Sequence, residues 1–157
     1  MEKHTYGTGL IGNCSYIAHI EKNTNISWLC MPRFDSDFLF GSMLDKQKGG
    51  EFTILPPDNN FTSRQEYREN SNILDTFIET ADGEAYKVTD FAPRFFNYER
   101  YFKPSMVIRK IEPIKGEPKI KINCHPVSDY GKNKLKAIPE SNHIQYSGRD
   151  QEVRLTT

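Results

Sequence analysis

Ile73-Leu74-Asp75-Thr76-Phe77-Ile78-Glu79-Thr80 and Ala85-Tyr86-Lys87-Val88-Thr89-Asp90-Phe91 flank the dipeptide Asp82-Gly83. Runs rich in β-branched and aromatic residues joined by Asp-Gly predict a hairpin, because Asp and Gly tolerate the positive φ angles of a tight primed turn. Working outward, the pattern recurs. Residues 14–21 alternate Tyr16, Ala18 and Ile20 onto one face, Asn23-Thr24-Asn25 supplies turn chemistry, and residues 26–31 follow as a largely buried partner. Pro32 cannot donate to a ladder and ends that strand. Further strands are predicted at Glu51–Leu55, Phe61–Tyr67, 106–112, 119–125, 143–146 and 152–155, separated by Pro, Gly and Asn clusters. Residues 37–45 read as one short helix, with Phe40, Met43 and Leu44 on one face. Many short strands between turn signals predict an all-β, antiparallel β-sandwich.

Composition supports strand. Ile and Val together outnumber Leu by two to one and Ala is scarce, a balance that suits a pleated surface. The 157 residues carry 21 Lys+Arg against 21 Asp+Glu, so one domain of zero net charge is expected. That balance argues against a nucleic-acid partner, which requires a basic surplus. No apolar stretch approaches the ~20 residues of a membrane span. The opening MEKHTYGTGL holds no apolar signal core, so a cytoplasmic location is expected. Cys14, Cys30 and Cys124 are too scattered for a disulfide scaffold or a zinc site, and neither metal nor cofactor is expected. The final Gln151-Glu152-Val153-Arg154-Leu155-Thr156-Thr157 reads as a strand in progress, as in a fragment of a longer chain.

Several motifs invite a chemical reading. Gly7-Thr8-Gly9-Leu10-Ile11-Gly12 matches G-x-G-x-x-G, but the dinucleotide fold needs a buried strand before it and a helix after it. Here a strand pattern follows, so the segment reads as an entry loop with glycines for tight turns. Cys124 and His125 are adjacent and point to opposite faces of a strand, which forbids chelation of one ion. Cys14 and Cys30 lie in consecutive predicted strands that could bring them close across the hairpin, and without secretion they read as reduced core thiols rather than a disulfide. Asp35, Asp37, Asp90 and Asp129 are carboxylates near aromatics, which suits sugar chemistry, although each singly reads as a turn or cap residue. The richest segment is Trp28-Leu29-Cys30-Met31-Pro32-Arg33-Phe34-Asp35-Ser36. An aromatic face stacks on a pyranose, and Arg and Asp hydrogen-bond its hydroxyls. The competing reading is an Arg33–Asp35 pair that orders a loop, with Asp35 or Ser36 capping the helix after it.

This segment, with Tyr6-Gly7, Gly9-Leu10-Ile11-Gly12-Asn13-Cys14, Asn72-Ile73-Leu74, Ala81-Asp82-Gly83, Val88-Thr89-Asp90-Phe91, Arg109 and Asp129-Tyr130-Gly131, resembles the N-terminal domain of bacterial glycoside hydrolase family 15 proteins. That family holds glucoamylase-like and trehalase-like enzymes. The resemblance covers most of the chain in order and loses its landmarks after Lys132. It implies a super-sandwich of antiparallel strands followed by an α/α toroid that carries two catalytic glutamates. The chain has no run of amphipathic helices for a toroid, so residues 1–157 are expected to be an incomplete, noncatalytic N-terminal β-sandwich with no catalytic residue of its own. Its partners would be the catalytic domain of the same polypeptide and an α-glucoside, with Arg33, Phe34 and Asp35 on the rim of the sugar cleft. Self-association is expected through the terminal strand, where Val153 and Leu155 lack a cover, or through the aromatic segment 95–102. The alternative is a stand-alone carbohydrate-binding or interaction module that uses Phe95, Phe96, Tyr98, Tyr101 and Phe102.

Overall fold

A computed structural model describes residues 7–149 and 151–157. In chain order these form β1 (Thr8–Gly12), β2 (Ile17–Glu21), β3 (Ile26–Cys30), β4 (Phe38–Phe40), β5 (Glu51–Leu55), β6 (Phe61–Tyr67), β7 (Leu74–Thr80) and β8 (Ala85–Phe91). There follow β9 (Phe95–Asn97), β10 (Arg100–Phe102), β11 (Ile108–Lys115), β12 (Lys121–His125), β13 (Val127–Ser128), β14 (Asn133–Lys134), β15 (Lys136–Pro139), β16 (His143–Ser147) and β17 (Glu152–Thr156). Every pairing is antiparallel. One four-stranded sheet runs β1-β2-β3-β4 and another β11-β8-β7-β6, while β5 pairs with β12 and β15-β16-β17 form a third sheet. The fold is an all-β, sandwich-type domain.

The β7–β8 hairpin forms where Asp82-Gly83 places it. Residues 81–84 connect the strands; Thr80 N–H donates to Glu84 O at 2.9 Å, and Gly83, at φ 80, donates its N–H to Thr80 O at 3.0 Å. Only Gly83 is left-handed, so a turn followed by a left-handed glycine replaces the expected tight primed turn. The register Leu74↔Asp90, Thr76↔Val88 and Ile78↔Tyr86 puts six buried residues on one face. Five of them suit a core. The sixth, Asp90, is a carboxylate with no exposure.

Arg109, directly opposite Asp90 on β11, resolves that conflict. Its Nε lies 2.8 Å from Asp90 Oδ1, and its side chain is only 4% exposed. The guanidinium also donates to Phe52 O at 2.9 Å and to Thr24 O at 2.5 Å, and it lies 4.6 Å from the centroid of the Phe52 ring. Thr24 sits in the β2–β3 turn at φ 63; its hydroxyl accepts from Ile54 N–H at 2.8 Å and donates to Ile54 O at 3.0 Å. Gln65 on β6 donates to Ile20 O and Glu21 O just ahead of that turn. One guanidinium therefore fastens β8 and β11 to β5 and to the β2–β3 turn.

The main core joins Ile11, Tyr16, Ala18, Ile20, Leu29 and Phe40 of the first sheet and its approaches to Leu74, Cys124, Leu135 and Tyr146. The predicted alternation of Tyr16, Ala18 and Ile20 holds, all three being fully buried. A second cluster packs Ile54 of β5 on Ile78, Tyr86 and Val88.

Three expectations need correction. The helix over 37–45 is absent: Phe38, Leu39 and Phe40 are all buried, with Leu39 and Phe40 in the main core and Phe38 in a separate cluster, so the segment is strand β4. A loop follows in which Gly41 N–H bonds Gly49 O at 2.7 Å, and a Cβ on Gly49 would lie 2.4 Å from the backbone of Gly41 and Ser42. Asp45 accepts from the N–H groups of Gln47 and Lys48, and Met43 and Leu44 are exposed. The glycine-rich entry is strand β1, because a Cβ at Gly9 would lie 2.3 Å from Leu74 Cδ2; the glycine serves close packing rather than a turn. Val153 and Leu155 are half-buried against the main core instead of lacking a cover.

On the opposite face of the hairpin, Asp75 accepts from Arg68 Nε at 2.9 Å and Thr89 Oγ1 at 2.5 Å. Burial alone would raise its pKa; hydrogen bonds from Arg68 and Thr89 and the charges of Arg68 and Lys87 outweigh it and hold the carboxyl below its usual value. A depressed folded pKa adds stability that is present above the unfolded value, about 4, and is lost as pH falls through the folded one. Asp75→Asn is expected to cost about 1.5–3 kcal/mol at neutral pH. Its melting curve should converge on that of the parent in acid, whereas a gap that stays constant with pH would refute this.

Candidate functional site

Strand β3 positions the site. Trp28 lies half-buried on the outer face of the first sheet, in one cross-strand row with His19 of β2 and Leu10 of β1. Burial pushes the His19 imidazole below its ordinary value, which favours its neutral form. Below this row Cys30, Phe38 and Val127 form a small buried cluster against which Trp28 packs. The Trp28 and Phe38 rings are 5.7 Å apart, and Tyr130 meets Phe38 edge-on at 5.9 Å and 81°. Strands β3, β4 and β13 thus build a rigid aromatic footing.

The segment between β3 and β4 presents Arg33, Phe34 and Asp35. Arg33 Nε and Asp35 Oδ1 are 3.0 Å apart, a second bond joins Nη2 to Oδ2, and the side chains are 74% and 69% exposed. Phe34 is exposed beside them. No helix follows to be capped. Ser36 instead closes a turn, its Oγ accepting from Arg33 N–H at 3.2 Å and its N–H donating to Arg33 O at 3.1 Å. An exposed planar donor, an exposed ring and a carboxylate in one segment have the chemistry to meet a polyhydroxylated ring.

The β13–β14 loop reaches Phe38 from about 90 residues away in sequence. Asp129, Tyr130 and Gly131 take φ of 49, 54 and 82, with Gly131 N–H bonded to Ser128 O and Lys132 N–H to Asp129 O. Positive φ at both central residues of a hydrogen-bonded turn is the geometry that hairpins favour, and Tyr98-Glu99 repeat it between β9 and β10. Tyr130 is 61% exposed, and the negative charge of nearby Asp37 holds its phenol above the ordinary value. Asp37 and Asp129 stand out in the sequence as carboxylates near aromatics, whereas Tyr130 carries no signal of its own outside the family resemblance. No local signal joins residues 28–38 to 127–131.

Other candidates dissolve. Asp90 is spent on Arg109 in the core. Burial pushes the Cys124 thiol up to about 11, so it stays protonated, while His125 is exposed on the other face, 3.9 Å from Glu51. All three cysteines are free; Cys30 is a core thiol as expected, but Cys14 is not, being exposed and accepting from Arg94 Nη1 at 3.2 Å. The G-x-G-x-x-G stretch runs into strand β2 rather than a helix. Among the described residues no three His, Cys, Asp or Glu side chains converge as a metal site requires, and no helix is long and apolar enough to cross a membrane.

The family model for the trehalase-like N-terminal domain matches residues 3–157. The chain belongs to this family. It is similar to the trehalase of Thermoplasma volcanium, 35% identical over 127 residues that make up 80% of this chain and 20% of the relative. Trehalase 1 of Sulfolobus acidocaldarius is 32% identical over 78% of the chain and 19% of its own length. The trehalase of Mycolicibacterium smegmatis is 25% identical over 78% of the chain and 20% of its own length. This trehalase-like N-terminal domain therefore spans about a fifth of the length of the curated relatives it matches. No solved structure matches it.

Because the Arg33–Asp35 pair is exposed, it contributes about 0–1 kcal/mol. Arg33→Ala and Asp35→Ala are expected to melt close to the parent, whereas Phe38→Ala, which empties the footing, costs about 3–5 kcal/mol. Large destabilisation by Arg33→Ala in thermal denaturation would make the segment a structural brace.

Proposed function

We propose that the chain is the noncatalytic accessory β-domain of an α-glucoside hydrolase of the trehalase type, related to glycoside hydrolase family 15. It packs against a catalytic α/α toroid of the same polypeptide and lends Arg33, Phe34 and Asp35 to the rim of the sugar cleft. The observation that carries this reading is family membership over nearly the whole chain, set against relatives in which the matched segment is only about a fifth of the length. The exposed Arg33–Phe34–Asp35 segment on its fixed aromatic footing supports the rim role. The general acid and base would lie in the toroid.

A second reading rests on the β9–β10 hairpin. Phe95 and Phe102 stack at 5.5 Å, Phe96 meets Tyr101 at 5.1 Å, and Phe95, Phe96, Tyr98 and Tyr101 are exposed. Beside it, Asn13, Asn72, Phe91 and Arg94 line a groove of about 600 Å³, a volume usual for small-molecule sites. This favours a stand-alone carbohydrate-binding module, or self-association through the hairpin.

The purified chain is expected to release no glucose from trehalose or maltose. In the longer polypeptide, Arg33→Ala and Asp35→Ala should raise KM for the sugar with folding intact. Glucose release by the chain alone, or an unchanged KM in both variants, would contradict the respective part. Dimers of the pure chain in sedimentation, together with no toroid encoded downstream, would favour the second reading.

A further inference from the structure

Three loops remote in sequence build the groove at the base of the β9–β10 hairpin. The β1–β2 turn brings Asn13 and Cys14, the β6–β7 turn brings Asn70 and Asn72, and the segment after β8 brings Arg94; together they line about 600 Å³. Buried groups set its shape. Asn13 is 1% exposed, and its Nδ2 donates to Pro93 O at 3.2 Å and to Pro104 O at 3.1 Å, so one amide holds both feet of the hairpin. Its Oδ1 accepts from Ser15 N–H at 3.1 Å, and the Tyr16 hydroxyl donates to Met106 O just beyond the hairpin. Asn72 Nδ2 donates to Gly12 O at 2.5 Å and ties the second wall to β1. Arg94 is held twice: Nη1 donates to Cys14 Sγ at 3.2 Å, and the guanidinium carbon lies 4.8 Å from the centroid of the Tyr101 ring.

We propose that this groove is a noncatalytic binding site for a neutral sugar of disaccharide size, held by Asn70, Asn72 and Arg94. The inference rests on the carbohydrate-binding reading above and moves the sugar from the exposed hairpin rings into the groove beneath them. The lining joins apolar surface from Ile73, Phe91 and Ala92 to planar polar groups. The Asn70 amide both donates and accepts, Asn72 Oδ1 accepts while its nitrogen is engaged, and the guanidinium of Arg94 has donors beyond the one given to Cys14. Sugar hydroxyls match such groups and ring C–H groups match the apolar surface. Arg94 is the one charged side chain that lines the groove, and its charge already rests on the Tyr101 ring, which favours a neutral ligand over an anion. The lining includes no Asp, Glu or His, and glycoside hydrolysis takes two carboxyl groups, so the groove holds a sugar without cleaving it.

The 157-residue chain, labelled with ¹⁵N, is titrated with trehalose, maltose and sodium sulfate while its amide resonances are followed, as the parent and as Asn70→Gly, Arg94→Met and Tyr98→Ala. Glycine at position 70 keeps the left-handed backbone, φ 53, and removes only the amide. Tyr98 stands at the hairpin tip, 82% exposed. The expected result is a saturable shift with at least one disaccharide, confined to residues 12–14, 70–73 and 91–94. Binding should weaken about five-fold in Asn70→Gly and in Arg94→Met, with resonances elsewhere unchanged, and Tyr98→Ala should bind like the parent. If the sugar instead shifts residues 95–102 and only Tyr98→Ala loses it, the carbohydrate-binding reading stands and this inference falls. If neither disaccharide shifts any resonance, both fall. Saturation of the same amides by sulfate without sugar would make the groove an anion site and overturn the inference.

Discussion

The guanidinium of Arg109 is the constraint on which the rest of this domain depends. A buried carboxylate is costly unless it is paired and hydrogen-bonded, and Asp90 is buried on the inner face of its sheet. Neutralising it would need only a cation. Arg109 does more, because a planar fork offers five donors, and two of its contacts go to backbone carbonyls of other elements, Phe52 and Thr24. The pair thus converts an electrostatic liability into a joint between β8, β11, β5 and the β2–β3 turn. Thr24, left-handed and fully buried, completes the joint through its two bonds to Ile54.

That joint positions the candidate site. Fixing the β2–β3 turn fixes β3, which delivers Trp28 to the outer face and leads into the Arg33–Asp35 segment. Phe38 and Val127, buried next to Cys30, fasten the far end and bring the β13–β14 loop alongside. Chemistry-bearing side chains are therefore exposed while their backbone is held by buried neighbours, the arrangement a recognition surface requires. Family membership and the fraction of trehalase length covered give that surface its context.

What could be read from the sequence follows the range of the interactions. The β7–β8 hairpin was legible because Asp-Gly and the flanking alternation are local, and the strands at Glu51–Leu55 and Phe61–Tyr67 were placed to the residue. Residues 37–45 misled because Phe40, Met43 and Leu44 happen to fall at helical spacing, while what decides the segment is burial of Phe38, Leu39 and Phe40 against distant strands. Gly7 to Gly12 misled because a glycine needed for close packing under Leu74 is spelled like one needed for a turn. At the site, the Arg33–Asp35 pair was visible as near neighbours. The approach of Tyr130 to Asp37 was not, since it depends on tertiary packing of β13 onto β4. Asp90 and Arg109 were both noticed, but their pairing is a cross-strand register that no local pattern encodes.

The most direct measurement is a double-mutant cycle in chemical denaturation with Arg109→Met, Asp90→Leu and the two combined. A pair that only cancels its own charges can be replaced by apolar residues at little cost. If Arg109 is instead the joint between the elements, the double variant still leaves the carbonyls of Phe52 and Thr24 without a donor, each costing about 1–3 kcal/mol. The double variant is then expected to remain at least about 2 kcal/mol less stable than the parent. A double variant as stable as the parent would contradict the account.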